Sequence, residues 1–177
     1  MFAAAIQGKF IALTVVAAIN SVIAAYYYFR VVRLMYLAPA AGPALPAAGA
    51  ESRLGQWPVQ LHLVPVNAPW FRDADVLVAA DCVPFAYARF HDDFLAGKAL
   101  VVGCPKLDDL QAYVEKLTRI FATNEIRSVT VVRMEVPCCG GLSWAVQKAI
   151  EQSGRKDLPV HEVVVGVRGE IVSERAQ

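Results

Sequence analysis

The sequence predicts an α/β protein: a small, doubly wound, mostly parallel sheet with flanking helices, preceded by one transmembrane helix and a flexible linker. Three observations carry this. After residue 75, short apolar runs alternate with helical stretches, as in successive βα units. Residues 10–29 are apolar and uncharged, and about 20 such residues cross a bilayer as a helix. Between these regions lies a stretch of Ala, Pro and Gly with too little to bury and too many prolines for a helix. The expected divisions are a membrane helix in 1–37, a linker in 38–51 and an α/β domain in 52–177.

Composition fits this division. The chain has 177 residues, of which 56% are hydrophobic and 19% charged, with a mean hydropathy of +0.42. That is more apolar than an average soluble domain. Residues 1–38 carry only Lys9, Arg30 and Arg33 as charged side chains. The net charge of +1 and the lack of a basic stripe give no basis for nucleic-acid binding.

In the amino-terminal segment, Tyr26, Tyr27 and Tyr28 sit at one end of the run, as an interfacial aromatic belt would. Arg30 and Arg33 follow, and with Lys9 on the other side they slightly favour a cytoplasmic carboxyl end. The expectation is a single-pass inner-membrane protein with its domain in the cytoplasm. A cleaved signal peptide competes with this reading, but the run is long for one and its Tyr-rich end is a poor approach to a cleavage site. A buried soluble helix fits less well, because every face is apolar.

The domain reads element by element. Residues 56–64 alternate with a period of two and predict a lead-in strand that packs Trp57 on the domain. Strands are expected at 75–81, 98–103 and 127–136. Helices are expected at 84–96, 108–124 and 141–153. The second is amphipathic, with Leu110, Tyr113, Val114, Leu117, Ile120 and Phe121 on one face and Asp108 as its cap. The third ends at Ser153 and Gly154. Residues 160–172 predict a final hairpin turning at Arg168 and Gly169. The aromatics, Trp144 among them, are expected in the core.

The four cysteines, Cys82, Cys104, Cys138 and Cys139, each fall at or just after a strand end. In a parallel sheet the carboxyl ends share one edge, where α/β proteins bind ligands. Four converging thiolates would suit an iron–sulfur cluster or a structural zinc. Zinc is the weaker expectation, because ligand pairs two to four residues apart are missing. Gly140 and Gly141 would let the backbone turn so that both neighbouring thiols reach one centre, and they open a helix whose dipole favours thiolates. Gly103, beside Cys104 and Pro105, marks a tight strand exit. Two readings stand beside the metal site: inert core thiols, and thiol redox chemistry, for instance between Cys82 and Cys104. His62 and His161 read as strand histidines and His91 as a surface residue. Asp92, Asp93, Asp108 and Asp109 read as caps or solvated carboxylates. No P-loop, GxGxxG fingerprint or Ser-His-Asp order is present.

Two family resemblances add to this. Residues 2–37, with Asn20 and Ser21, then Tyr26 to Tyr28, Arg30, Arg33, Met35 and Tyr36, resemble a late membrane helix of subunit N of the proton-pumping NADH-quinone oxidoreductase. Residues 52–173 resemble the carboxyl-terminal domain of anaerobe-type 4Fe-4S ferredoxin proteins, in the surroundings of Trp57, in Ala79 to Tyr87, in Gly103 to Asp109 and in Met134 to Gly140. The Cys-x-x-Cys-x-x-Cys module that usually precedes that domain is absent, and the membrane helix stands in its place. The resemblances imply a membrane-anchored electron-transfer protein with a 4Fe-4S cluster on Cys82, Cys104, Cys138 and Cys139, alongside respiratory or other redox subunits. On that reading it is a redox component rather than a complete enzyme. The alternative is a membrane-anchored interaction or fusion protein with ordinary thiols and no cluster.

Overall fold

The computed structural model describes residues 11–33 and 51–176. It falls into two units, an amino-terminal one and a domain beginning at Ala50. The amino-terminal unit contains helix α1, Ile11–Val32. None of its side chains is buried, and it is long and apolar enough to cross a membrane. Ser21 donates its hydroxyl to the Ala17 carbonyl one turn back (2.8 Å), so the helix satisfies this polar group internally. The Ala/Pro/Gly linker expected over 38–51 lies, except for Glu51, outside the described residues.

The domain is a five-stranded sheet in the order β2-β1-β3-β4-β5. Its strands are β1 (Ala74–Ala80), β2 (Ala99–Gly103), β3 (Ile126–Met134), β4 (Val160–Val165) and β5 (Ile171–Ala176). The first four are parallel, and β5 returns antiparallel to β4. Val76 to Ala80 are all buried, because a central parallel strand is covered on both faces and needs a continuous apolar run.

Two long helices make the crossovers to β3 and β4: α2 (Leu110–Thr123) and α3 (Gly140–Ser153). Both crossovers move the same way along the sheet, and the two helices pack against each other. The connection from β1 to β2 runs the opposite way, and the right-handed rule assigns it to the other face. The expected apolar stripe of α2 is observed: Tyr113, Val114, Leu117, Ile120 and Phe121 are fully buried. Burying five such side chains contributes on the order of 10 kcal/mol of transfer free energy before chain entropy is counted.

The structure departs from expectation in four places. The cap of α2 is Asp109, whose carboxylate accepts from the Gln111 and Ala112 amides. Asp108 is thereby freed for another task. The expected helix over 84–96 is broken into a single turn at Val83–Ala86 and a wide turn at Phe90–Leu95. The lead-in segment makes one bridge, Gln60 to Val102. It covers the β2 edge through the Gln56 side chain, which donates to the Leu100 carbonyl (2.7 Å) and accepts from its amide (3.1 Å). Trp57 is 75% exposed and Trp144 48%, so neither belongs to the core.

Gly103 ends β2 directly beneath the Tyr113 ring. A Cβ at this position would lie 2.5 Å from the Tyr113 hydroxyl and 2.6–2.7 Å from ring carbons, and the fully buried ring has nowhere to retreat. Gly103→Ala is therefore expected to destabilise the domain by about 3 kcal/mol, measured by chemical denaturation. Substituting alanine at Gly140, where the space is open, should change stability by well under about 1 kcal/mol.

Candidate functional site

Strands β1 and β2 are joined in one direction along the sheet, and the connections to β3 and β4 run in the other. The order reverses between β1 and β3, and in open α/β sheets such a switch point opens a crevice at the carboxyl ends of the strands. Cys82 follows β1 after one residue. Cys138 and Cys139 lie in the short turn Pro137–Cys139 between β3 and α3. Three cysteines therefore flank the crevice, and Cys104 follows β2 on the far side of β1.

These thiols differ in environment. All four are free; Cys82 and Cys138 are exposed, Cys104 is half-buried, and Cys139 is only 4% exposed. Burial pushes the Cys139 thiol up. Its hydrogen bond with the Met134 backbone opposes this, and the neighbouring Cys138 and Cys82 add to the rise. Cys139 sits at the amino-terminal cap of α3, where the dipole favours a thiolate, but burial outweighs that.

Of the two glycines expected to shape this turn, Gly141 does so by close packing. A Cβ there would stand 3.0 Å from Pro105 and 3.3 Å from Leu110, so a bare backbone lets the start of α3 approach the Cys104–Pro105 loop. Gly140 has ordinary helical geometry, with φ of −59°.

A polar cluster that sequence reasoning missed underlies the rim. The Tyr113 hydroxyl donates to the Asp108 carboxylate and accepts from the Cys104 amide (3.1 Å). Gln60 donates to both Asp108 (3.2 Å) and the tyrosine oxygen (3.4 Å). Burial, followed by the bond to Asp108, raises the Tyr113 phenol well above its ordinary value, so it stays protonated and fixes the Cys104 loop. Beside it, Asp81 links β1 to Cys82. Its carboxyl is raised by burial and then by the charge of Asp108, and its Oδ1 is buried without a hydrogen-bond partner. An acidic residue closing an apolar strand run was the one available signal.

A second cluster anchors α3. Glu162 on β4 accepts from Arg133 on β3 (2.8 Å) and from the Ser143 hydroxyl on α3. Arg133 also donates to Ser143 (3.1 Å). Burial alone would raise the Glu162 carboxyl; the Ser143 and Arg133 bonds outweigh it and hold the carboxyl below its usual range. His62 and His91 serve locally: the His62 ring packs 4.9 Å from the Tyr113 ring, and His91 Nδ1 accepts from the Arg53 amide (3.1 Å).

A thiol-held metal or cluster needs at least three or four converging ligands. Among the described residues, no group of three or more His, Cys, Asp or Glu side chains is placed to hold a metal ion. Cys139 is buried, whereas Cys82 and Cys138 are exposed and Cys104, on the far side of β1, is half-buried. This corrects the expected iron–sulfur and metal-binding character of the rim.

The fold and the comparisons place the chain in one class. A family model described as a Rossmann-like domain matches residues 68–177, and the chain belongs to that family. It is also 34% identical over 116 residues to an uncharacterized protein of Archaeoglobus fulgidus, an alignment covering 66% of this chain and 81% of the relative. No solved structure matches. These findings correct the two resemblances. Neither a ferredoxin nor an NADH-quinone oxidoreductase family is shown, and the 4Fe-4S ferredoxin label falls with them. The segments Ala79 to Tyr87, Gly103 to Asp109 and Met134 to Gly140 are strand exits of a Rossmann-like sheet.

The Glu162 cluster yields a stability prediction with a definite pH sign. Removing one partner of a buried ion pair strands the other, so Glu162→Ala should cost about 3 kcal/mol. Because the folded-state carboxyl is lowered, its stabilisation is present above the unfolded carboxylate pKa and is lost as pH falls through the folded value. Denaturation between neutral and acid pH should show that wild-type loss, and Glu162→Gln should flatten it.

Proposed function

We propose that this protein is a membrane-anchored redox protein whose working groups are the thiols at the β1/β3 switch point. One observation carries the reading: Cys82, just after β1, and Cys138, just after β3, are exposed at the exits on either side of the switch point, and Cys139 beside Cys138 is buried. The proposed chemistry is thiol–disulfide exchange with a disulfide-bearing partner. The Cys82 thiolate attacks the partner disulfide, forms a mixed disulfide and releases one partner thiol. Cys139, as thiolate, then attacks the Cys82 sulfur and releases the second. Two cysteine thiols are oxidised to one disulfide, and one partner disulfide is reduced to two thiols. Cys139 is the favoured resolving group because it comes from a different strand exit, whereas the adjacent Cys138 and Cys139 cannot easily bond to each other.

The membrane part of the proposal rests on α1. We place the chain as a single-pass protein of the inner membrane with its domain on the cytoplasmic side, as Arg30 and Arg33 beyond the apolar run favour. A reducing cytoplasm also keeps exposed thiols free.

The redox claim is tested on the full chain in detergent. Thiol labelling across a graded ratio of oxidised to reduced dithiothreitol should reveal one two-electron couple, and peptide mapping should find Cys82 bonded to Cys139. Cys139→Ser should abolish the couple and Cys104→Ser should leave it. Four thiols that label fully at every ratio would sink the proposal in favour of an interaction protein with ordinary thiols. For topology, added protease should digest the domain in inverted inner-membrane vesicles and spare it in right-side-out ones; the reverse pattern would refute the placement.

A further inference from the structure

A second site lies on the other side of β1 from the β3 crevice. A groove of about 490 Å³ runs between the lead-in segment, β2 and the turns that follow β1. Its walls are apolar, with Phe85, Phe90, Leu95 and Leu100 prominent among them. That size and lining are typical of small-molecule pockets, in which a few polar groups set orientation. The polar residues here are Asp81, Gln60 and His91.

Two of these three are already engaged. Gln60 donates to Asp108 and Tyr113, and its carbonyl accepts from the His62 amide. His91 uses Nδ1 to accept from Arg53. Asp81 is different, since its Oδ1 is buried and unpaired. A buried acceptor without a donor costs about 1–3 kcal/mol, and such groups call for explanation.

Charge narrows the choice of ligand. Burial and then the nearby Asp108 carboxylate raise the Asp81 carboxyl. Among the described residues, the Asp108 carboxylate receives hydrogen bonds from the neutral Tyr113 and Gln60. Among the described residues, neither carboxylate has a cationic partner. The groove therefore has one carboxylate in its lining, Asp81, with no cationic partner and with apolar walls around it. A neutral donor would satisfy the acceptor and leave the charge; a cation satisfies both. Phe85, 92% exposed, is a large apolar side chain that solvent alone does not explain, and a ligand body would cover it.

We propose that this groove binds a small organic ammonium ion with an aromatic or alkyl body, its N–H donating to the Asp81 carboxylate and its body lying against Phe85 and Phe90. The site is independent of the thiols, and its test does not involve them. The probe is 2-phenylethylammonium, titrated calorimetrically into the full chain in detergent micelles near neutral pH, with 2-phenylethanol as the neutral analogue. Saturable one-to-one binding is expected. Losing a charge-assisted hydrogen bond should weaken binding about tenfold or more, in the alcohol and in Asp81→Asn alike. Phe85→Ala, on an exposed side chain that the fold does not need, should weaken it several-fold by removing body contact. Equal affinity for amine and alcohol, unchanged binding in Asp81→Asn, or no saturable binding to the wild-type chain would each overturn the proposal.

Discussion

The domain's functional edge depends on one contact, the Tyr113 ring seated against the bare backbone of Gly103. Tyr113 belongs to α2 and Gly103 ends β2, so the contact fixes the helix at the depth where its hydroxyl meets the Cys104 amide. That depth brings Asp108, one residue before the cap, onto the same hydroxyl. The capping carboxylate of Asp109 makes this possible by satisfying the first amides of α2. A single glycine thus lets a buried phenol serve as the hub of the β2 exit, and Gln60 ties the lead-in segment to it.

A comparable device holds the β3 exit. Arg133, Glu162 and Ser143 join two strands to the first turns of α3, and Gly141 lets that helix close on Pro105. The two exits are therefore locked to each other through the β2 loop, while the β1 exit, with Asp81 and Cys82, lies between them. The cysteine turn at Pro137–Cys139 inherits its position from these contacts. The rigid parts are polar clusters and close-packed glycines, and the thiols are what they position.

Much of this was legible in the sequence, for reasons that also explain the rest. The strands of a doubly wound sheet are apolar runs, and those ending at Ala80, Gly103 and Met134 could be read with boundaries wrong by one or two residues. The α2 stripe was equally plain, because its periodicity reflects burial. The helix expected over 84–96 fails because Val83–Ala86 and Phe90–Leu95 are separate turns; their Phe and Leu residues satisfy a helical pattern by composition alone. Trp57 and Trp144 misled because size predicts burial only on average. The four thiols were correctly assigned to strand exits, but spacing cannot report depth, and depth separates Cys139 from Cys82 and Cys138. The Tyr113–Asp108–Gln60 cluster was invisible because Gln60 lies far from the other two in the chain and each residue looks ordinary alone.

Depth also shapes what the thiols can do. A thiol that forms a disulfide only after a partner has attacked its neighbour benefits from being buried, because premature oxidation is then slow. Burial pushes the Cys139 thiol up, so at neutral pH it waits as a thiol, and only the thiolate is nucleophilic. Unequal burial thereby gives the proposed exchange an order, exposed Cys82 first and buried Cys139 second, that four equally exposed cysteines would lack.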